Sequence, residues 1–193
     1  MANLNKLPIW LITAAVLTAL SILAHEVTHY IGAVAMGARD VAISWGDYTY
    51  DPASLDAMGV AVTAMSAPLL THIVILWVWR SGATNALALA LGLGACSRDI
   101  VIFPFALKIA LGRDLSTFTN DEMRASEALG ISPFPFALVA AVLGIGGVIV
   151  FLRRAYRVQG WLFALALFVG TILGLVLWGK VGPMVLAGGR GFN

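Results

Sequence analysis

Charged side chains are scarce in this chain: Asp, Glu, Lys and Arg make up 11% of its 193 residues, whereas 60% are hydrophobic. A soluble globular protein carries about 25% charged residues, so the composition excludes that class and indicates an integral membrane protein. The formal net charge is only +2, and no basic run suggests nucleic acid. We therefore expect the lipid bilayer, and no nucleic acid, as a partner of this chain.

Cysteine and histidine are also rare. The single cysteine, Cys96, excludes a framework of disulfides within the chain. Of the three histidines, His25 and His29 lie four residues apart in the first long apolar run. If that run is a helix, the two imidazoles share one face and can hold one metal ion.

The two histidines belong to the motif His25-Glu26-Val27-Thr28-His29, which has the HExxH pattern. In this pattern the histidines bind zinc, and the glutamate can take a proton from water on the metal. The pattern also arises by chance, mostly in soluble helices. Here Glu26 lies in apolar sequence, where a charge costs about 2.5–3.5 kcal/mol and is usually functional.

Five apolar runs are long enough to cross a membrane core, which needs roughly 20 helical residues. They cover about residues 8–36, 57–79, 84–107, 134–152 and 161–178. Residues 41–50 predict a short β-hairpin-like loop, and Asn120 predicts the N-cap of a short helix over 121–129. The sequence thus predicts an all-α integral membrane protein with about five transmembrane helices and a hairpin-like loop after the first.

We expect residues 1–193 to form a single membrane domain. Its predicted parts are a catalytic region at about 8–132, scaffold helices at about 133–180 and a flexible tail at 181–193. Within the fifth span, Gly170 and Gly174 have the GxxxG spacing that favours close helix contact.

Depth along the spans guides the search for a third metal ligand. A count from Pro8 places the motif in the last turns of the first span, whereas His72 lies about 15 residues into the second. The resulting gap of roughly 15 Å argues against His72 as a ligand and predicts a packed or hydrogen-bonded side chain. Asp99 in the third span lies near the depth of His25, so it is either a ligand, a histidine partner or an ion-pair partner of Arg98.

These features resemble the site-2-protease-type intramembrane zinc metallopeptidases, the M50 class. The resemblance rests on HExxH in a membrane helix, the strand-like loop after it, and the sequence Ser66-Ala67-Pro68-Leu69 in the second span. It implies one zinc ion per chain, Glu26 as the general base, and hydrolysis of a peptide bond in a membrane-anchored protein substrate.

The third ligand in that family is an aspartate, usually in an LDG motif that this chain lacks. The counterpart here is Asp121 in Thr-Asn-Asp-Glu, before a short helix that ends at Gly130-Ile131-Ser132-Pro133. The resemblance therefore implies His25, His29 and Asp121 as the metal ligands, with Asp99 as the alternative suggested by depth.

Two other functions remain open from the sequence. In a metalloprotease of the glutamate-ligand type, Glu122 or Glu127 would be the third ligand. In a metal-binding membrane module without hydrolysis, the chain would be an inactive relative, a sensor or a transporter. For each function we expect a multi-pass protein of the cell or inner membrane, and the sequence leaves its orientation and oligomeric state open.

Overall fold

A computed structural model describes residues 4–44, 46, 48–113 and 120–185 of the chain. Within these residues it contains six α-helices and one two-stranded sheet. In chain order they are α1 (Leu7–Ala35), β1 (Ala42–Ile43), β2 (Tyr48–Thr49), α2 (Ala57–Ser81), α3 (Ala86–Ala110), α4 (Asp121–Leu129), α5 (Phe134–Gln159) and α6 (Trp161–Val185). All helices except α4 are long and apolar enough to span a membrane, which confirms the predicted fold class and is consistent with a multi-pass membrane protein.

Polar side chains define the helix starts near the functional region. Asp56 caps α2 by accepting a hydrogen bond from the Gly59 amide at 2.7 Å. Asn120 caps α4 by accepting one from the Met123 amide at 2.8 Å, and α4 ends at Gly130 in the left-handed conformation. These caps satisfy otherwise unpaired amides in the first turn, so the predicted bounds of α4 are confirmed.

The last two helices are longer than predicted. Helix α5 continues to Gln159 and α6 to Val185, each seven residues beyond its expected end. A membrane core sets a minimum length for a span but does not end the helix. In the extension of α5, the Arg154 guanidinium donates to the carbonyls of Val78 and Trp79 at the end of α2.

The extension of α6 makes residues 181–185 of the predicted tail helical. The remainder, 186–193, lies outside the described residues, so its predicted flexibility stays a prediction. The division into catalytic and scaffold parts likewise stays a prediction.

The loop after α1 contains the expected hairpin. Strands β1 and β2 pair antiparallel, with Ala42 opposite Thr49 and Ile43 opposite Tyr48. Two residues of the predicted turn, Trp45 and Asp47, lie outside the described residues. Tyr48 is buried, because its ring packs against α1.

The helices pack closely through small residues and large apolar side chains. The largest fully buried apolar side chains are Ile75, Leu89, Leu93, Phe105, Phe151, Phe163 and Leu167. On α6, a Cβ added at Gly174 would lie 2.5 Å from the Ala15 carbonyl oxygen of α1. The predicted close contact at the GxxxG spacing is therefore present, between α6 and α1.

Helix α4 is held against α2 by a small cluster of buried alanines, Ala61, Ala64 and Ala125. Because α2 also packs against α1, this contact brings the first turn of α4 towards the HExxH motif. The position of α4 therefore determines which acidic side chain reaches the two histidines.

Candidate metal centre

Three side chains from two distant segments converge at the motif. His25 Nε2 lies 3.2 Å from His29 Nε2 and 3.3 Å from Asp121 Oδ2. His29 Nε2 lies 3.2 Å from the same oxygen of Asp121. Both histidines are buried and Asp121 is half-buried. The structure thus brings together the three residues that the family resemblance implied as metal ligands.

Hydrogen bonds on the far side of each ring assign the protons. His29 Nδ1 lies 2.9 Å from the carbonyl oxygen of Thr63, which can only accept, so this nitrogen carries the proton. His25 Nε2 accepts from Arg98 Nε at 3.3 Å, and His25 Nδ1 lies 3.1 Å from Thr71 Oγ1. With neutral rings, both Nε2 lone pairs therefore face the Asp121 carboxylate.

Asp121 is present as a carboxylate. Burial by itself raises its pKa, but the positive charge of Arg98, whose guanidinium donates to the carboxylate, holds the pKa well below its usual range. The Arg98 guanidinium donates to Asp121 and, at 2.6 Å, to Oε1 of Glu122. Arg98 on α3 thereby fixes the first turn of α4 beside the histidines.

The spacing of the three acceptor atoms fits a metal ion. Bonds of about 2.0–2.2 Å at the tetrahedral angle place zinc ligands roughly 3.3–3.6 Å apart. The observed separations of 3.2–3.3 Å are close to that range. Two nitrogen lone pairs and a carboxylate oxygen repel one another, so a cation between them would remove an unfavourable arrangement.

The formal charge around the site also favours a bound cation. Four carboxylates, one of them Asp121 itself, and two guanidinium groups lie at or near the three atoms, which leaves a formal charge of minus two with neutral histidines. The carboxylates are Glu26, Asp99, Asp121 and Glu122, and the guanidinium groups are Arg98 and Arg124. A divalent cation would balance this charge.

Glu26 lines a cavity of about 370 Å³ together with His25 and Asp121. Arg98, Asn120 and Arg124 also line it, so most of its surface residues are polar. Such a space can hold several water molecules, since each occupies about 30 Å³ in the liquid. The proposed base and two of the candidate ligands therefore face one polar cavity.

Tyr48 covers one face of the site. Its ring stacks on His29 with centroids 4.2 Å apart, and the Arg124 guanidinium lies 5.2 Å from the centre of the Tyr48 ring. Burial and the charge of Asp121 raise the pKa of Tyr48, so its hydroxyl stays protonated at neutral pH. The hairpin thus contributes a neutral phenol beside the metal-ligand group.

The alternative third ligands have other partners. Asp99 is fully buried, with Oδ2 at 3.3 Å from His72 Nε2 and Oδ1 at 3.8 Å from Arg98. Glu122 is fully buried against Arg98, and Glu127 is exposed. None of these three carboxylates joins the group formed by the two histidines.

The depth argument for His72 was wrong, although His72 does lie outside the metal-ligand group, with its Nε2 at 3.3 Å from Asp99 Oδ2. His25 lies ten residues before the end of α1, because α1 continues well past a 20-residue crossing. Thr71, the neighbour of His72, contacts His25 directly, so His25 and His72 lie at similar depths. His72 does not join the metal-ligand group because its ring faces Asp99, on another side of α2.

Several residues of the site belong to no recognisable sequence motif. Thr63 and Thr71 orient the histidine rings, and Tyr48 stacks on one of them. Two threonines eight residues apart lie on similar sides of a helix, which is a weak signal in an apolar span. Arg98 was noticed only as a partner of Asp99.

The fold and the site together define a multi-helix membrane protein with two buried histidines and a half-buried aspartate beside a polar cavity. Comparisons with protein-family models, with curated proteins and with solved structures found no match.

Proposed function

We propose that the chain is a membrane-embedded zinc metalloprotease of the site-2-protease type. The observation that carries this proposal is the convergence of two Nε2 lone pairs and the Asp121 carboxylate at 3.2–3.3 Å. In this proposal His25, His29 and Asp121 hold one zinc ion per chain. When bound, zinc supplies a Lewis acid that makes water acidic and polarises a peptide carbonyl.

Glu26 acts as the general base. It follows His25 on the same helical turn and lines the polar cavity that receives water. Glu26 takes the proton from the attacking water and delivers it to the nitrogen of the leaving amine. General acid–base catalysis of this kind contributes about 10²–10⁴-fold in rate.

Arg98 and Arg124 supply positive charge to the same cavity. Because the Arg98 donors are already paired with His25, Asp121 and Glu122, Arg124 is the group that would stabilise the negative charge developing on the carbonyl oxygen during attack. Tyr48 keeps the His29 ring in place by stacking on it. The hydrogen bonds to Thr63 and Thr71 keep both rings in the orientation that metal binding requires.

The substrate in this proposal is a membrane-anchored protein. A peptide bond in a helix is already hydrogen-bonded, so the cleaved segment must be extended. The hairpin lies beside the site, and its edge could pair with such a segment by strand addition. The chain would act in the cell membrane or an inner membrane.

Glu26→Gln separates metal binding from hydrolysis. Purified protein, loaded with zinc, is incubated with a mixture of single-span peptides in lipid vesicles, and mass spectrometry identifies new peptide ends. The wild type should bind one zinc and produce new ends. Glu26→Gln should bind equal zinc and cleave at least about 100-fold more slowly.

Unchanged cleavage by Glu26→Gln would refute the mechanism. Normal zinc binding without cleavage by the wild type would favour the non-hydrolytic module. The Arg98 hydrogen bonds to His25 and Asp121 are compatible with that second candidate, because they hold the ligands in a closed arrangement. Zinc flux into vesicles would identify a transporter.

A further inference from the structure

A second cavity, about 230 Å³ in volume, lies between α1, α2 and α3 beside the metal-ligand group. We call it the apolar chamber. Its walls are almost entirely hydrocarbon and include Leu20, Ala24, Leu70, Val74, Leu91 and Ala95. It differs in character from the polar cavity that Glu26 lines.

The two cavities meet at the proposed metal ligand. Ile22, His25 and Arg98 line both of them. A peptide with its reacting carbonyl in the polar cavity could therefore place one neighbouring side chain in the apolar chamber. This shared lining places the chamber next to the proposed hydrolytic site.

The chamber opens towards the lipid-facing surface between α1 and α2. Leu20 is 51% exposed and Leu70 is 39% exposed, whereas Ala95 at the inner wall is 5% exposed. An apolar cavity of about 150 Å³ can hold a benzene molecule, so this chamber is large enough for one Leu- or Phe-sized side chain. The membrane-spanning segment of an anchored substrate is rich in such residues.

We propose that the apolar chamber is a specificity subsite that binds one large apolar side chain next to the scissile peptide bond. This inference rests on the proposed function, because it takes the zinc site as the place of reaction. The chamber would select Leu- or Phe-like residues and exclude charged ones, since no acidic side chain lines it and Arg98 is already paired with Asp121 and Glu122.

Three hydroxamates test the subsite separately from catalysis. Acetohydroxamate measures binding to the zinc alone, whereas 4-methylpentanohydroxamate and 3-phenylpropionohydroxamate add an aliphatic or aromatic group. Titration calorimetry is performed with the zinc-loaded full chain. Burial of the added group should tighten binding about 10- to 100-fold over acetohydroxamate.

Ala24→Phe should fill the opening of the chamber and remove the gain in affinity of the two larger hydroxamates, without changing acetohydroxamate binding. Ala24 is exposed at the opening, so the larger side chain does not enter the packed core. Val27→Phe is the matched control, because Val27 is 38% exposed on the same helix and lines neither cavity. Leu70→Trp narrows the chamber from α2 and serves as the second variant if Ala24→Phe fails to fold.

The outcomes separate this inference from the proposed function. Equal affinities for all three hydroxamates would overturn the subsite while leaving the zinc site intact. Absence of acetohydroxamate binding would overturn the zinc site and, with it, the subsite. If the larger hydroxamates bind more tightly than acetohydroxamate in detergent but not in phosphatidylcholine vesicles, the chamber binds a lipid acyl chain, and the proposal is overturned.

Discussion

Asp121→Asn should greatly weaken zinc binding while leaving the fold intact. The substitution preserves the size of the side chain but removes the negative charge of one of three ligand atoms. Apparent zinc-binding free energies of about 10–16 kcal/mol in four-ligand protein sites correspond to roughly 3 kcal/mol per ligand. Loss of one ligand should therefore weaken zinc affinity by about 100-fold or more.

The fold should survive this change because α4 has other attachments. Glu122 keeps its 2.6 Å ion pair with Arg98, and Ala125 stays packed against α2. Zinc affinity is measured by competition with a chromophoric chelator, and thermal unfolding of the metal-free protein reports the fold. A loss of affinity without a loss of stability would identify Asp121 as a ligand.

Glu127→Gln provides the matched control. It makes the same chemical change in the same helix, at an exposed residue that does not join the histidines. Its zinc affinity should equal that of the wild type. The reasoning would be refuted if Asp121→Asn bound zinc within about threefold of the wild type, or if Asp99→Asn lost the metal instead.

Three further substitutions test the surroundings of the site. Arg98→Met should lower the free energy of unfolding by about 3–5 kcal/mol, because it leaves a buried Glu122 carboxylate without its ion-pair partner. Adding Glu122→Gln should restore much of that loss, and a double variant no more stable than Arg98→Met would contradict the coupling. Gly174→Ala should cost about 1–3 kcal/mol in thermal unfolding, because its Cβ meets the backbone of α1. Gly179→Ala, with open space around it, should not lower stability, because Ala favours a helix over Gly, and equal losses for the two variants would reject the packing argument. His72→Phe should lower stability by depriving a fully buried carboxylate of its partner but keep one zinc per chain, whereas loss of zinc would make His72 part of the metal site.

Local sequence patterns were sufficient for the positions of the elements. Long apolar runs predicted the five spanning helices, and Asn120 and Gly130 predicted the bounds of α4. These signals work because capping and span length depend on neighbouring residues and on membrane thickness. The same thickness rule misplaced the ends of α5 and α6, since helices may extend beyond the apolar core.

Depth counting was a poor guide to side-chain contacts. It placed His25 close to one membrane face and His72 far below, yet Thr71 touches the His25 ring. The count placed the membrane face about 20 residues after Pro8, whereas α1 continues for ten residues beyond His25. An uncertainty of two or three turns in where a helix meets the membrane face becomes an error of about 15 Å in depth.

The sequence by itself determined that this is a helical membrane chain and that His25 and His29 share one helix face, because apolar content and four-residue spacing act locally. Only the tertiary structure decided which carboxylate joins them. Asp121 lies 96 residues from His25 in the sequence. It reaches the site because α4 packs on α2 and Arg98 of α3 holds its first turn. Contacts between separate helices depend on how their surfaces fit together, which no local pattern records.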